Sequence, residues 1–248
     1  MINIKNLNKN DYIAVYDSGI GGLNVLKLLK KYMPYENYLY FGDNSNAPYG
    51  NLNNETLIKL SVKNVKNIEQ YGIKAIVLAC NTLSTVCYEK LIKRFKLKFI
   101  QTLPPIKNNF YNEKTYLVCT KNTAKSNFVK KYKKAVKVLP APQLATKIEK
   151  GIFNLNKVND DIFNFLPKQD ISVLILGCTH YCFLLNKFTK ALPNVQIVQP
   201  EYLSMLALND FLSENNLKNQ SSVDGKIHFI GENAYYNRYV YENFCLKN

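Results

Sequence analysis

The sequence of 248 residues predicts an α/β fold in which doubly wound parallel sheets carry helices on both faces. Short apolar runs such as "YIAVYD" and "ISVLIL" alternate along the chain with segments whose apolar residues recur at helical spacing. The apolar runs are nearly uninterrupted, as expected for strands that are buried on both sides. Regular alternation of strands with helices indicates parallel sheets.

The N-terminal part of the chain shows this alternation element by element. The helix predicted over 22–33 stops before Pro34, and the helix predicted over 54–72 ends at Gly72, because proline and glycine commonly follow a helix. A third helix is expected over 84–95. The strands expected in this part cover 12–17, 37–43, 74–80 and 98–104.

The remaining chain repeats the pattern. The run over 171–177 is the most apolar of all and predicts a buried strand. Further strands are expected over 115–120, 135–142, 194–200 and 226–231. Helices are expected over 125–135, 143–154, 181–192 and 201–216, followed by a terminal helix.

Composition restricts the location of the protein and its metal chemistry. No apolar stretch approaches the ~20 residues that a membrane-spanning helix needs, so we expect no membrane association. The segment "MINIKNLNKNDY" lacks the apolar core of a signal peptide, and we expect a cytoplasmic protein whose six cysteines are reduced. Cys178 and Cys182 form a C-x3-C pair, but no second pair completes a zinc site, and no metal is expected.

The net charge of +15 raises the question of nucleic-acid binding. The lysines cluster in segments such as "KLLKKY" and "VKKYKKAVK", where helical periodicity places them on solvated faces. No recognition motif accompanies the charge, so nucleic acid is not expected as a ligand. A basic surface nevertheless attracts anionic substrates over long range.

Polar residues and glycines follow several of the predicted strands. Ligands of parallel α/β sheets bind at the carboxyl ends of the strands, so these positions are candidates for a site. The turn "DSGIGG" presents free N–H groups and the positive end of a helix dipole, which suits a carboxylate or a phosphate, although a close-packed turn explains the same glycines. It lacks the full G-x-G-x-x-G spacing and is no P-loop, so a nucleotide is not expected. The strand ends in question cover 17–22, 42–43, 80–82, 119–123 and 178–181.

Two of these strand ends carry a cysteine in the same setting. Cys80 follows "AIVLA" and Cys178 follows "VLILG", and each precedes small polar residues at the expected start of a helix, a position that favours the thiolate. They are roughly 100 residues apart, about the span of one compact domain, which indicates an ancient duplication into two facing halves. Two thiols on opposite sides of one substrate carbon could invert a stereocentre, because one removes a proton and the other delivers one.

The other cysteines are expected to differ in role. Cys87, Cys182 and Cys245 lie inside helical patterns and are interpreted as small buried hydrophobic residues. Cys119 lies near a strand end, but Thr120 and Thr123 are the expected ligand contacts there. The two strand-end cysteines described above are therefore the candidates for catalysis.

Five motifs together resemble the cofactor-independent glutamate racemases of the aspartate/glutamate racemase superfamily. In chain order they are "DSGIGG", "FGDNSNAPYG", "ACNT", "CTKNTAKS" and "GCTHY", which span 17–181. The resemblance implies two α/β domains, each a doubly wound parallel sheet, related by a pseudo-two-fold axis with the active site in the cleft between them. It implies a discontinuous first domain, residues 1–100 plus 208–248, and a second domain over 101–207.

The resemblance also implies roles for individual residues. Cys80 and Cys178 would be the two acid/base groups. Asp17 would support the first of them, His180 would support the second, and Glu149 would be a further supporting residue. Other positions match residues that hold the amino acid's carboxylate, ammonium and side chain. Together the substrate-binding candidates are Asp17, Ser18, Tyr49, Gly50, Asn81, Thr82, Thr120, Thr123, Thr179 and His180.

The implied substrate is glutamate, and the implied product is D-glutamate for peptidoglycan synthesis. Neither pyridoxal phosphate nor a metal is implied as cofactor, and a homodimer is expected. Without an electron sink, hydrogen bonds to the substrate carboxylate in a closed, water-poor cleft must stabilise the carbanion. Two alternatives stay open. One is an aspartate racemase or related two-cysteine isomerase, and the other is a basic binding protein, since some family members inhibit DNA gyrase.

Overall fold

The structure is a computed structural model that describes residues 11–107, 114–158, 163–167 and 170–247. The strands within these ranges run parallel to their neighbours. They are β1 (Tyr12–Asp17), β2 (Asn37–Gly42), β3 (Ile73–Leu78), β4 (Phe99–Gln101), β5 (Thr115–Cys119), β6 (Lys137–Pro140), β7 (Val173–Gly177), β8 (Gln196–Val198) and β9 (Ile227–Ile230). The α/β class predicted from the sequence is confirmed.

The strands form two separate sheets. Within the described residues, one sheet has five strands in the order β4-β3-β1-β2-β9, and the other has four in the order β6-β5-β7-β8. When β5 to β8 are matched in turn with β1 to β4, the second sheet repeats the strand order of the first, and β9 is an added edge strand. Cys80 follows β3 and Cys178 follows its counterpart β7, so the two cysteines occupy equivalent places, as a duplication predicts.

Helices cover both faces of each sheet. They are α1 (Leu23–Tyr32), α2 (Asn54–Glu69), α3 (Tyr88–Arg94), α4 (Lys121–Lys125), α5 (Asn127–Lys131), α6 (Leu144–Gly151), α7 (Leu185–Ala191), α8 (Glu201–Glu214) and α9 (Ala234–Val240). Along β1, Ile13 and Val15 face a core shared with α1 and α8, whereas Ala14 and Tyr16 face a core shared with α2 and α3. In the described part of the chain, no helix has the length and apolar character that a bilayer crossing requires.

The predicted strands and the longer predicted helices are confirmed, with ends that differ by a few residues. The predicted end of α2 shows why some boundaries are readable. Gly72 has a φ of 65°. That left-handed conformation costs a glycine little and terminates the helix.

The helix predicted over 125–135 is wrong in its extent. The structure has two short helices in this region, α4 and α5, separated by Ser126. The backbone of Ser126 is extended (φ −62°, ψ 152°), and its hydroxyl accepts a hydrogen bond from the Val129 N–H at 3.2 Å, which caps α5. Thr120 caps α4 in the same way by accepting from the Thr123 N–H at 3.2 Å. Of the predicted range, α5 covers only 127–131, and α4, which ends at Lys125, is not predicted from the sequence.

The helical segment after each strand-end cysteine is irregular. Leu83–Cys87 forms a π-helical turn before α3, and Thr179–Leu184 forms a 3-10 segment before α7. In the first turn the Thr85 hydroxyl donates to the Asn81 carbonyl at 2.8 Å and competes with regular backbone bonding. Turns of this kind occur frequently at functional sites.

Candidate active site

The polar strand ends of the two sheets meet at one place. Thr179, after β7, donates to Asp17, at the end of β1, over 3.2 Å. The hydroxyl of Thr82, after β3, lies 3.2 Å from that of Thr123, in α4 after β5. Both contacts join one sheet to the other. The strand ends that the sequence singles out therefore converge on a single candidate site between the two halves.

Cys80 is buried between β3 and the π-helical turn. The Leu83 N–H and the Ser18 hydroxyl form hydrogen bonds with its sulfur. Burial raises the pKa of the Cys80 thiol, and the negative charge of Asp17 raises it further, despite these two donors. The expectation that a helix start favours the thiolate is therefore wrong for Cys80, where the thiol is the favoured form.

Cys178 has a different kind of partner. Its sulfur lies 3.9 Å from Nδ1 of His180, and Nε2 of His180 contacts the carboxylate of Glu149. Burial alone would lower the pKa of His180, but its hydrogen bonds and charge interactions with Cys178 and Glu149 outweigh burial and hold that pKa well above its usual range. A positively charged imidazole therefore lies beside the Cys178 sulfur.

Glu149 reaches the site from α6. Its Oε1 accepts from the Asn44 amide at 2.7 Å, and its Oε2 accepts from the Ile20 N–H at 3.2 Å and contacts His180. Burial favours the neutral acid, but the contact with His180 and these backbone and amide donors lower the pKa of Glu149 overall. A Cβ on Gly19 would lie 2.5 Å from Oε2 of Glu149, so a larger residue at position 19 would displace this carboxylate. Glu149 is thus held as a carboxylate behind His180.

Asp17 is fully buried at the end of β1. It accepts hydrogen bonds from the Gly19 N–H at 3.0 Å and from the Thr179 hydroxyl at 3.2 Å. Burial raises the pKa of Asp17, and the nearby charge of His180 opposes this rise. The charge of Asp17 also raises the pKa of the Cys80 thiol. Asp17 therefore lies where the resemblance implies a supporting residue for that cysteine.

Three threonine hydroxyls form a compact buried cluster. Thr82 and Thr120 are 3.0 Å apart, Thr82 and Thr123 are 3.2 Å apart, and Thr120 donates to Thr123 over 3.0 Å. Each hydroxyl can donate one hydrogen bond and accept two, so the cluster can turn donors towards an anionic ligand by rotating its protons. Gly50 packs against this cluster, because an added Cβ would overlap Thr120.

Asn81 offers an unused acceptor. Its amide nitrogen donates to the Thr102 carbonyl at 2.8 Å, whereas its Oδ1 is buried and has no partner within the described residues. A buried acceptor without a donor is unfavourable. This oxygen is suited to a donor that a ligand supplies, such as an ammonium group.

Tyr49 is engaged differently from the other predicted substrate contacts. Its side chain is fully buried, and its hydroxyl contacts the Asp43 carboxylate, the Asn64 amide at 3.0 Å and the Tyr16 hydroxyl at 2.9 Å. This network lies within the half that contains β1 and β2. A substrate contact through the Tyr49 hydroxyl would have to break it.

Sequence reasoning assigns no role to Asn44, although it follows the predicted strand end at Gly42 and Asp43. Its partner Glu149 is 105 residues away in the chain. No local pattern spans that separation, so the only signal in the sequence is a polar side chain next to a strand end. The structure alone brings Asn44 and Glu149 together.

The three cysteines predicted to be buried hydrophobic residues divide into two kinds. Cys87 and Cys245 are buried among apolar residues, as predicted, and burial raises the pKa of Cys87 to about 11. Cys182 departs from the prediction, because it is half-buried and hydrogen bonds with Gln199 and Glu201. Among the described residues, no three histidine, cysteine or carboxylate side chains are grouped as a metal site requires.

Comparison with known proteins identifies the family. No protein-family model matches the sequence. A curated glutamate racemase from Clostridium acetobutylicum is 32% identical over 232 residues, which cover 88% of this chain and 91% of that protein. The chain belongs to the glutamate racemase family. The family resemblance seen in the five motifs is confirmed, and members of this family are amino-acid racemases.

Solved glutamate racemases share the fold. The enzyme from Thermus thermophilus, in complex with beta-chloro-D-alanine, matches with a TM-score of 0.81 at 27% identity and covers 95% of this chain and 94% of its own. The enzyme from Francisella tularensis, in complex with D-glutamate, matches with a TM-score of 0.78 at 27% identity and covers 94% of this chain and 93% of its own. The two-domain α/β architecture predicted from the sequence is confirmed.

Proposed function

We propose that this protein interconverts L- and D-glutamate by passing protons between the substrate Cα and the thiols of Cys80 and Cys178, without a cofactor. The observation that carries the proposal is a pair of buried cysteines at equivalent strand ends, each with its own charged partner. The glutamate racemase from Francisella tularensis, solved with D-glutamate, supports the choice of substrate.

The two thiols differ in the charge of their partners. Burial and Asp17 keep the proton on Cys80, whereas Cys178 lies beside the charged imidazole of His180. We therefore assign Cys80 as the acid and Cys178 as the base when the substrate is L-glutamate.

Racemisation then takes two proton transfers. The Cys178 thiolate takes the α-proton of L-glutamate and becomes a thiol, and the bonding electrons stay on Cα. The Cys80 thiol gives its proton to the opposite face of Cα and becomes a thiolate, which completes D-glutamate. In the reverse direction Cys80 is the base and Cys178 is the acid.

The carbanion must be stabilised between these transfers. The threonine cluster can donate to the substrate carboxylate, and Oδ1 of Asn81 can accept from its ammonium group. The surrounding side chains are buried, and hydrogen bonds aimed at developing charge are strong in such an environment.

The direct test follows circular dichroism of L-glutamate and L-aspartate solutions after the protein is added. We expect the signal of L-glutamate to decay to zero and that of L-aspartate to persist. Decay of the aspartate signal alone would contradict the choice of substrate and favour the aspartate racemase alternative. An unchanged signal for both would contradict racemisation and favour the binding role.

The proposed product has a clear use. D-Glutamate is a building block of peptidoglycan, and we propose that this protein supplies it in the cytoplasm. Growth of a strain depleted of the protein should be rescued by D-glutamate in the medium. Failure of that rescue would contradict the assignment.

We also propose a homodimer and the domain division given above, residues 1–100 with 208–248 and residues 101–207. Pairing of β9 with β2 supports a discontinuous first domain. For the dimer, α8 exposes Tyr202, Leu203 and Leu206, each at least 37% accessible, and such a patch commonly marks an interface. Light scattering on Leu203→Asp and on the unchanged protein would show whether the mass falls from that of two chains to one.

A further inference from the structure

We propose that Asn44 and Asn237 are positioning residues that hold the Glu149 carboxylate against His180 and thereby act on Cys178. The four side chains form one line of contacts, from Asn237 in α9 through Asn44 after β2 to Glu149 and His180. The kinetic consequence rests on the proposed function. The line of contacts itself is a property of the folded chain and can be tested without turnover.

The two oxygens of Glu149 have different partners. Oε2 accepts from the Ile20 N–H at 3.2 Å and contacts His180, whereas Oε1 accepts from the Asn44 amide at 2.7 Å, which is its partner within the described residues. A hydrogen bond to an ionised carboxylate is stronger than one between neutral groups. Asn44 therefore keeps the carboxylate ionised and restrains its rotation. Without Asn44, the carboxylate would be held at one oxygen.

Asn237 reinforces the orientation in which the Asn44 amide presents its nitrogen to Glu149. Its nitrogen donates to Oδ1 of Asn44 at 2.9 Å and lies 3.5 Å from the carbonyl oxygen of Gly42. A backbone carbonyl can only accept, so the nitrogen side of Asn237 faces Gly42. Asn44 must then present its oxygen to Asn237 and its nitrogen to Glu149. The orientation is thus passed from the backbone of β2 to the carboxylate.

Packing alone does not explain an asparagine at position 237. Asn237 is fully buried, and its Oδ1 has no partner in the part of the chain that the structure describes. An apolar side chain of similar size would avoid this unfavourable oxygen. The donor that Asn237 directs at Asn44 accounts for the polar residue.

Other titratable groups also face the Glu149 and His180 pair. Burial raises the pKa of Tyr40, in β2, and that of Tyr236, in α9, so both stay neutral beside Glu149. The charge of Asp17 acts on His180 independently of Asn44. Changes at Asn44 or at Asn237 should therefore alter the Glu149 contribution and leave the others in place.

The kinetic test uses isosteric variants. Asn44→Asp replaces the donor to Glu149 by an acceptor, and we expect kcat from L- to D-glutamate to fall roughly tenfold to a hundredfold, as for loss of a hydrogen bond to a charged group. KM should change little, because Asn44 acts through Glu149. Asn237→Asp should lower kcat in the same direction by turning the Asn44 amide. Asn243→Asp is the matched control, because Asn243 is exposed and donates to the Tyr239 carbonyl.

A double variant separates the relay from two independent defects. In an Asn44→Ala background, Asn237→Asp should cause no further loss of kcat, because the amide that it turns is gone. Additive losses would overturn the relay. Asn44 is half-buried, so Asn44→Ala alone carries the test if Asn237→Asp does not fold.

The decisive measurement is the imidazole pKa of His180, followed by NMR. The chain has two histidines, so a His228→Gln background leaves His180 as the single signal. We expect that pKa to fall in Asn44→Ala and in Asn237→Leu, which removes the donor to Asn44 without adding a charge, and to stay constant in Asn243→Asp. An unchanged pKa in both relay variants would overturn the inference. A shifted pKa in a protein that does not racemise glutamate would support the relay and contradict the proposed function.

Discussion

The surroundings of Cys80 and Cys178 differ in charge although the two cysteines occupy equivalent places in a repeated topology. Cys80 has a buried carboxylate, Asp17, as its charged neighbour and receives hydrogen bonds from neutral donors. Cys178 has the imidazole of His180, with Glu149 behind it. The shared strand order sets where each sulfur lies, whereas the neighbouring side chains set the charge that surrounds it.

This difference teaches that a symmetric reaction does not need a symmetric site. L- and D-glutamate have equal free energies, so the two directions must balance overall. Each thiol can nevertheless be tuned separately, because its acid and base forms are used in opposite directions. Changes that act on one side should therefore be visible as unequal effects on the two directions.

Removing either thiol is the strongest way to break the comparison. Cys80→Ala and Cys178→Ala should each lower racemisation by about a hundredfold to ten-thousandfold, the range for loss of a general acid or base, measured by circular dichroism with either enantiomer. Cys87→Ala is the control, since Cys87 is buried in the apolar core shared with α2 and α3. Near-normal activity of Cys80→Ala would contradict the two-thiol mechanism.

Replacing His180 tests the Cys178 side alone. His180→Asn removes the positive charge beside Cys178, and we expect kcat from L- to D-glutamate to fall roughly tenfold to a hundredfold, with a smaller fall in the reverse direction. The ratio of kcat/KM values must stay at one, because the enantiomers have equal free energies. Initial rates with each enantiomer measure both effects. Equal losses of kcat would argue against the pairing of His180 with Cys178.

Gly21→Ala tests whether the two halves must close tightly. An added Cβ would overlap the Thr179 hydroxyl and lie 2.6 Å from Nδ1 of His180, so the second half would be displaced from the first. We expect about a tenfold loss of kcat and a loss of stability of roughly 1–3 kcal/mol, as for overpacking. Gly151→Ala is the control, because its nearest neighbour would be 3.8 Å away. Normal kinetics in Gly21→Ala would show that the contact is dispensable.

The smallest expected effect is a shift of a pH profile. Burial and Asp17 raise the pKa of the Cys80 thiol above its ordinary value of 9.0, so the donor for the L-to-D direction keeps its proton as pH rises through that value. Asp17→Asn removes the negative charge, which lowers this pKa. The alkaline limb of the L-to-D kcat profile should therefore move to lower pH. A limb that moves upwards, or not at all, would exclude Asp17 as the group that acts on Cys80.

Local patterns in the sequence predicted the framework and the position of the site. Apolar runs identify the strands because these strands are buried on both faces, and polar residues directly after a strand lie at its carboxyl end. Cys80, Cys178 and Thr123 could be placed in this way, since each lies within a few residues of a strand. The family resemblance added roles that no pattern of charge or periodicity carries.

Contacts between distant segments could not be predicted. The partners of Glu149 come from three other segments of the chain, and nothing in the sequence around it indicates them. The pKa of Cys80 shows the same limit, because a helix start favours the thiolate whereas three-dimensional burial reverses that preference. Ser126 shows that local structure can also escape prediction. Its hydroxyl can be recognised as a helix cap only once its backbone is known to be extended.

The edge strand β9 gives the molecule a fixed order of completion during synthesis. Its residues pair with β2, and the Lys226 N–H donates to Asn37 across 189 residues of chain. On the ribosome, β2 therefore keeps one open edge while the whole second sheet emerges and folds. Asn237, which orients Asn44, arrives later still. A nascent chain can acquire both cysteines long before it can acquire the arrangement that we propose for their chemistry, so an incomplete chain has the thiols without the activity.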